Sequence, residues 1–477
     1  MKTMFVTPPV SFRERYGKLS GAGSSAPALG ILLLAAVARE AGHEVAVIDA
    51  AARNMDLNAT LHEINAFCPE VLGISSTTLS ISHAKSLAAI IKEAFPDIII
   101  ILGGPHVSAV PELTLNRLPD IDIAVLGEGE ETIVCLLQAI KESKPLADVE
   151  GIVYRDTAGD LIRTKARSPV NELDSLPYPA WDLLEGFPEK YTSPAFKVRK
   201  KPSVSLVSSR GCPNECIFCD RSVFGKSCHA YSAEYIVHLI EYLYVEFGVR
   251  EFSFEDDTFI TFKKRLFEIC HKLIALNLDI SWSCLGRVDH VTSEGLRLMK
   301  KAGCWQISYG IESGRDEILR IINKNINLSQ IRSAVELTRK EGLNAKGFFI
   351  VGNPGETRQT LQQTLSLMLA LPLNDISVAM LTPFPGTEIE ARVEEFGKFS
   401  GDWEKMNLLN TVFVPYGLEA RDLNAAQREM LRRFYLRPRV FFDYLGRLIS
   451  NPRLFGVVFS GFWSLWSSVR SSNTKNL

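Results

Sequence analysis

Three features that would narrow the field are missing from this sequence. No apolar stretch approaches the ~20 residues that a bilayer span requires, and the first ten residues, MKTMFVTPPV, lack the apolar core of a secretory signal. The formal net charge is only -2 over 477 residues, so no field of one sign gathers a polyanion and nucleic acid is not an expected partner. Cysteine is sparse: of nine, six stand scattered at 68, 135, 228, 270, 284 and 304, without the pattern of a disulfide framework. A reducing cytoplasm is the expected compartment. With 46% hydrophobic and 23% charged residues the chain folds rather than stays disordered, and its length implies two or three domains.

The remaining three cysteines are close together. Arg210-Gly211-Cys212-Pro213-Asn214-Glu215-Cys216-Ile217-Phe218-Cys219-Asp220 spaces them as C-x3-C-x2-C on one short loop. Thiolates are the soft ligands of iron-sulfur clusters, and three of them leave one iron open to a small molecule. The β-branched run 203–209 just before the loop reads as a strand, which puts the cysteines at a strand's C-terminal end, where barrel-like α/β folds keep their active sites. A structural zinc site completed by Cys228 or His229 is the alternative, although such sites usually pair C-x2-C or C-x4-C knuckles.

Two α/β series flank this loop. Short apolar runs at 4–6, 45–48, 71–74, 98–102 and 123–126 alternate with helical stretches at 29–41, 57–67, 82–95, 111–118 and 130–141. Five such repeats predict a doubly wound parallel sheet with its ligand site beyond the strand C-termini. The loops there are small and polar: Ser75-Ser76-Thr77-Thr78, Gly103-Gly104-Pro105-His106 and Gly127-Glu128-Gly129-Glu130-Glu131. No G-x-G-x-x-G follows the first strand, where Thr7-Pro8-Pro9 stands, so a dinucleotide site has little support. Residues 151–164 predict a hairpin, followed by a proline-rich tether containing Leu176-Pro177-Tyr178-Pro179-Ala180-Trp181-Asp182. The second series has strand-like runs at 203–209, 252–254, 280–284, 306–311, 346–351 and 376–381. Its strand ends carry Glu255-Asp256-Asp257, Arg287, Glu312-Ser313 and 352–357. Taken singly, these are helix caps and turn residues.

Together, the three-cysteine loop after a first barrel strand, with an aromatic before the last cysteine, resembles the radical S-adenosylmethionine (SAM) superfamily. The GGPH and GEGEE loops upstream resemble the cobalamin-binding domain of its cobalamin-dependent class. That resemblance implies a cobalamin domain at 1–142, a hairpin and linker at 143–202, a partial (β/α)6 radical SAM barrel at 203–400, and a C-terminal helical, basic-aromatic region at 401–477. It implies a 4Fe-4S cluster on Cys212, Cys216 and Cys219, with SAM cleaved there to a 5'-deoxyadenosyl radical. It gives SAM contacts to Phe218, Glu255, Asp256, Arg287, Glu312 and Ser313, and cobalamin contacts to Ser75, Ser76, Thr77, Gly103, Gly104, Gly127 and Glu128. The D-x-H-x-x-G signature that supplies an axial histidine in other cobalamin proteins is absent, Asp49-Ala50-Ala51-Ala52-Arg53-Asn54 standing in its place. Neither His106 nor His43 is therefore expected on cobalt. The activity so implied is methylation of an unactivated carbon of a small, lipophilic substrate. Oxidation, cyclisation or rearrangement on the same cofactors is the second reading, and a cobalamin or iron-sulfur sensor the third. A reductant such as flavodoxin or ferredoxin is the expected protein partner. From Leu431 onward, eight basic residues and many aromatics face a single acid, Asp443. Two readings stand open there: a helical pair packed on the barrel, or a segment lying peripherally on the inner face of a membrane.

Overall fold

The computed structural model describes residues 1–440, apart from 18, 19, 21, 22, 192 and 194–196. The first series forms β1 (Lys2–Thr7), β2 (Glu44–Asp49), β3 (Val71–Ser75), β4 (Ile99–Gly103) and β5 (Ile123–Val125), all parallel, in the order β2-β1-β3-β4-β5. Helices such as Leu29–Glu40, Ile81–Ala94 and Glu130–Lys141 cross between them. Strands β1, β3, β4 and β5 are largely buried on both faces, as a sheet wound with helices on two sides requires, and the edge strand β2 is only partly covered. The order reverses beside β1, so the crevice outside the C-terminal ends of β1 and β3 is the natural ligand seat.

The predicted hairpin, β6 (Ile152–Arg155) and β7 (Leu161–Arg163), does more than link. Its first strand pairs antiparallel with β5 and extends the expected five-stranded sheet to seven. Ile152 and Val153 are fully buried by that pairing. The proline-rich tether then packs on both modules. Ala180 N donates to Leu32 O at 3.1 Å on the first side. On the other side the Tyr178 ring meets Tyr235 and Tyr242 of the helix Ala233–Glu246. Trp181 is wholly buried and stacks on Phe187 at 5.0 Å; side chains of this size contribute about 3 kcal/mol on full burial.

The second series is an all-parallel sheet of six strands: β8 (Ser203–Leu206), then β11 (Glu251–Phe254), β12 (Ser281–Gly286), β13 (Cys304–Glu312), β14 (Asn344–Val351) and β15 (Asp375–Met380), each paired with the next. Between β8 and β11 lie two short antiparallel strands, β9 (Ser209–Arg210) and β10 (His229–Ala230). The expected first strand over 203–209 therefore ends early. The physical cause is Asp256, whose buried carboxylate takes hydrogen bonds from Ser208 N at 3.0 Å and from the Ser208 and Ser209 hydroxyls, pulling the chain out of the sheet.

A helix at Ala420–Tyr435 closes the far edge. Phe434 is fully buried there and Tyr435 Oη donates to Asp375 Oδ1 at 2.5 Å. The start of the basic-aromatic region thus packs on the barrel, and its remainder, 441–477, lies outside the described residues. Among those described, no helix is long and apolar enough to cross a membrane.

Candidate active site

A cavity of about 660 Å³ opens between the two modules and is lined from both. Cys212, Cys216 and Cys219 form part of one wall. Gly211 sets the approach to that loop: its φ is +76°, and a Cβ there would stand 2.1 Å from Ser227 O, so only glycine fits. A second loop clamps the cysteines from outside, with Ile217 N donating to Ile322 O at 3.2 Å and Asn323 Nδ2 to Glu215 O at 2.8 Å. Asn214 Nδ2 lies 3.2 Å from Cys212 Sγ. The Cys216 thiol is held below the ordinary thiol range by a hydrogen bond with Cys219, against the cost of burial, with the cations of Lys324 and Arg287 alongside. A mononuclear zinc site needs four ligands about 2.3 Å from one point. His229, a candidate fourth ligand in that reading, turns instead to Glu128 at 3.1 Å.

The opposite wall is the edge of the first sheet. Ser75, Gly103, Gly104, Gly127 and Glu128 reach the cavity; Ser76 and Thr77 are not among its lining residues. Ser76 instead fixes the glycine loop, its N–H donating to Gly103 O at 3.0 Å while Gly104, at φ +105°, passes so near that a Cβ would meet Ser76 O at 2.5 Å. Thr77 caps the turn that opens the next helix. At Gly30 and Gly103 an added Cβ would meet nothing within 4 Å, so both backbones face open cavity that any side chain would occupy. Glu130 keeps one buried carboxylate oxygen, Oε2, without a hydrogen-bond partner. Flat open backbone and a spare buried acceptor suit a broad ring fringed with amides. No histidine lines the cavity among the described residues. The His106 imidazole is packed edge-on to Trp403 at 4.4 Å, with Nδ1 3.1 Å from Thr78 Oγ1, and burial lowers it to about 4.

The strand-end acids and cations divide. Arg287 lines the cavity, but its guanidinium is engaged by Asp289 at 3.0 Å and by Lys324 O at 3.2 Å. Glu255 is outside the lining and held by Lys197 Nζ at 2.5 Å. Asp256 is committed to Ser208 and Ser209 as described, and Phe218 and Ser313 also stand outside the lining. Glu312, at φ +62°, gives its carboxylate to Lys324 Nζ at 2.8 Å. Burial opposes the charge on Lys324, but Glu312 and Cys216 outweigh it and hold the ammonium above its ordinary value. Lys324, Asp257 and Thr258 are among the lining residues that were not singled out from the sequence as cofactor contacts. Thr258 Oγ1 is buried without a partner, and the Asp257 side chain is exposed at the cavity. Asp257 stood in the acidic run after β11, where strand-end position alone does not say which of three neighbours turns inward.

The crevice of the first sheet and the thiol loop of the partial barrel open on one cavity, an arrangement with room for two cofactors. Residues 19–137 match the B12 binding domain family and residues 206–368 the Radical SAM superfamily. Over 457 residues the chain is 32% identical to a protein of Pyrococcus horikoshii named as an uncharacterized methyltransferase, covering 94% of this chain and 97% of that one. It is 28% identical to the anaerobic magnesium-protoporphyrin IX monomethyl ester cyclase of Rubrivivax gelatinosus, over 93% of this chain and 79% of the relative. The fold superposes on the radical SAM methyltransferase TsrM of Kitasatospora setae, solved with cobalamin and a 4Fe-4S cluster, with a TM-score of 0.71 at 16% identity, over 92% and 89% of the two chains. The chain belongs to the cobalamin-dependent radical SAM enzymes, whose cofactors are cobalamin, a 4Fe-4S cluster and SAM.

Proposed function

We propose that this chain transfers a methyl group to an unactivated carbon of a small, lipophilic molecule, with Cys212, Cys216 and Cys219 holding the cluster and the glycine-lined crevice of the first sheet holding cobalamin. The observation that carries this reading is the shared cavity: the three thiols and the open backbones of Gly30 and Gly103 face one space. When bound, the cluster supplies the electron that cleaves SAM, and cobalamin supplies the methyl group. The chain's own residues then position and shield. Lys324 and Arg287 are the cations beside the thiols, each already paired, with Glu312 and with Asp289, and Lys324, whose charge acts more strongly on Cys216, is the one that fits the SAM carboxylate. Asp257 and the unpartnered Thr258 hydroxyl fit the ammonium and a ribose hydroxyl, since Glu255 is taken by Lys197. Leu206, Val207 and Ile74 form apolar wall that keeps out water. Electrons would come from a reductant of flavodoxin or ferredoxin class. The membrane contact expected of the C-terminal region rests on residues 441–477, outside those described. The likeness to a ring cyclase favours oxidation or cyclisation as the second reading.

Anaerobic incubation of the holoprotein with SAM and a reductant tests the enzyme reading: 5'-deoxyadenosine is expected, and its absence from protein loaded with cluster favours a sensor. With a substrate in hand, a labelled methyl group from SAM enters the product if the chain methylates, and stays out if it cyclises. Replacing Lys324 by Gln should raise the KM for SAM by roughly tenfold or more and lower the melting temperature, because Glu312 is left as a buried unpaired carboxylate. Lys324→Arg should recover most of both. An unchanged KM in K324Q would remove Lys324 from the SAM site.

A further inference from the structure

Arg210 stands two positions before Cys212, and its guanidinium reaches the first module. Nη1 donates to Glu128 Oε1 at 2.9 Å and Nη2 to Glu130 Oε1 at 2.7 Å, with all three side chains less than a tenth exposed. His229, the Cα partner of Arg210 across the β9–β10 pair, brings Nε2 to the same Glu128 oxygen at 3.1 Å. The other oxygen of Glu128 accepts from Val170 N at 2.6 Å, which ties in the linker. Among the described residues, the ion pairs that join 1–142 to 203–440 are these three, all on one carboxylate pair. Burial alone would depress the guanidinium; Glu130, Tyr231 and Glu128 together hold it above its ordinary value.

We propose that Arg210 is a positioning residue that sets the register between the loop 127–130, beside the cobalamin crevice, and the loop 211–219, which carries the cluster thiols. The geometry calls for arginine. Two carboxylates approach from different residues of one loop, and a rigid planar fork satisfies both, whereas a lysine ammonium is a single point on a flexible stem. The connection to the thiols is stiff, because Gly211 is wedged against Ser227 O and β9 is pinned through Asp256. Movement of the Glu128–Glu130 loop is therefore passed to the cysteine loop rather than absorbed. This rests on the two-cofactor reading above, yet it is tested separately.

Hydrogen exchange on full-length apoprotein needs no cofactor. In Arg210→Gln, amides in 127–131 and 209–212 should exchange together about tenfold faster than in wild type, while 99–103 in the sheet interior stays unchanged. Arg210→Lys should move the same two segments, and Glu130→Gln, which leaves the Glu128 pair intact, should move them less. Wild-type rates at the two segments, or a uniform rise through the whole chain, would overturn the proposal. In holoprotein, the magnetic coupling between the reduced cluster and cob(II)alamin should broaden in Arg210→Gln with the iron content unchanged; an unaltered coupling would equally overturn it. Failure to retain cobalamin would instead count against the function proposed above and leave the exchange result standing.

Discussion

Alanine in place of any one of Cys212, Cys216 or Cys219 is expected to lower SAM cleavage by at least ~10³-fold, equivalent to about 4 kcal/mol on the barrier. Wild-type protein reconstituted without oxygen should bind about four irons and show the broad visible absorption of a 4Fe-4S cluster, and each variant should lose most of both. The effect is large because the three thiols share one short loop, and nothing on the cavity wall replaces a missing one. Cys228 is the control. It is the nearest further thiol in sequence, but it stands outside the cavity lining that Cys212, Cys216 and Cys219 share. Cys228→Ala should keep its iron and its rate of 5'-deoxyadenosine formation. Loss of metal on removing Cys228, with zinc found in the native protein, would overturn the cluster assignment.

The second large effect concerns cobalt. Cob(II)alamin bound to this protein should give an electron paramagnetic resonance spectrum without nitrogen splitting, and His106→Ala and His43→Ala should leave it unchanged. Both imidazoles are buried away from the cavity lining. His106 is also wedged between Thr78 and Trp403, the latter covered in turn by Arg117 at 4.2 Å. Bringing that ring to a metal in the crevice would require unpacking the contact between the first module and the segment around Trp403. A clear nitrogen triplet would refute this. In contrast, His106→Ala should cost about 1–3 kcal/mol of stability, read as a lower midpoint in urea, since the hydrogen bond to Thr78 and the edge-on aromatic contact are both lost.

How much of this was legible from residues alone depends on the range of the interaction concerned. Parallel strands at Val71–Ser75 or Ile99–Gly103 announce themselves because a strand buried on both faces must be a short apolar run, a property of neighbouring residues. The C-x3-C-x2-C spacing is likewise local, and so are the glycines at 103, 104 and 127, whose loops end strands visible as such. By itself, then, the sequence determined the two α/β series, their order, the thiol loop at a strand's end and the small polar loops across from it.

What each strand-end side chain does was decided only in three dimensions. Glu255 looked free to meet an ammonium until the fold brought Lys197, 58 residues earlier in the chain, onto its carboxylate. Glu128 looked like part of a ligand loop, and it does reach the cavity, but its charge is met by Arg210, 82 residues away. Asp256 and Asp257 are adjacent and chemically alike, yet one is buried under Ser208 and Ser209 while the other faces the cavity, because successive residues leaving a strand point in opposite directions. The hairpin 151–164 was visible as a turn between apolar runs, but its pairing to β5 required an open sheet edge at the right height. A carboxylate in a low-dielectric interior takes whichever cation the fold delivers, and that choice is made by contacts between residues far apart in sequence, which no local pattern records.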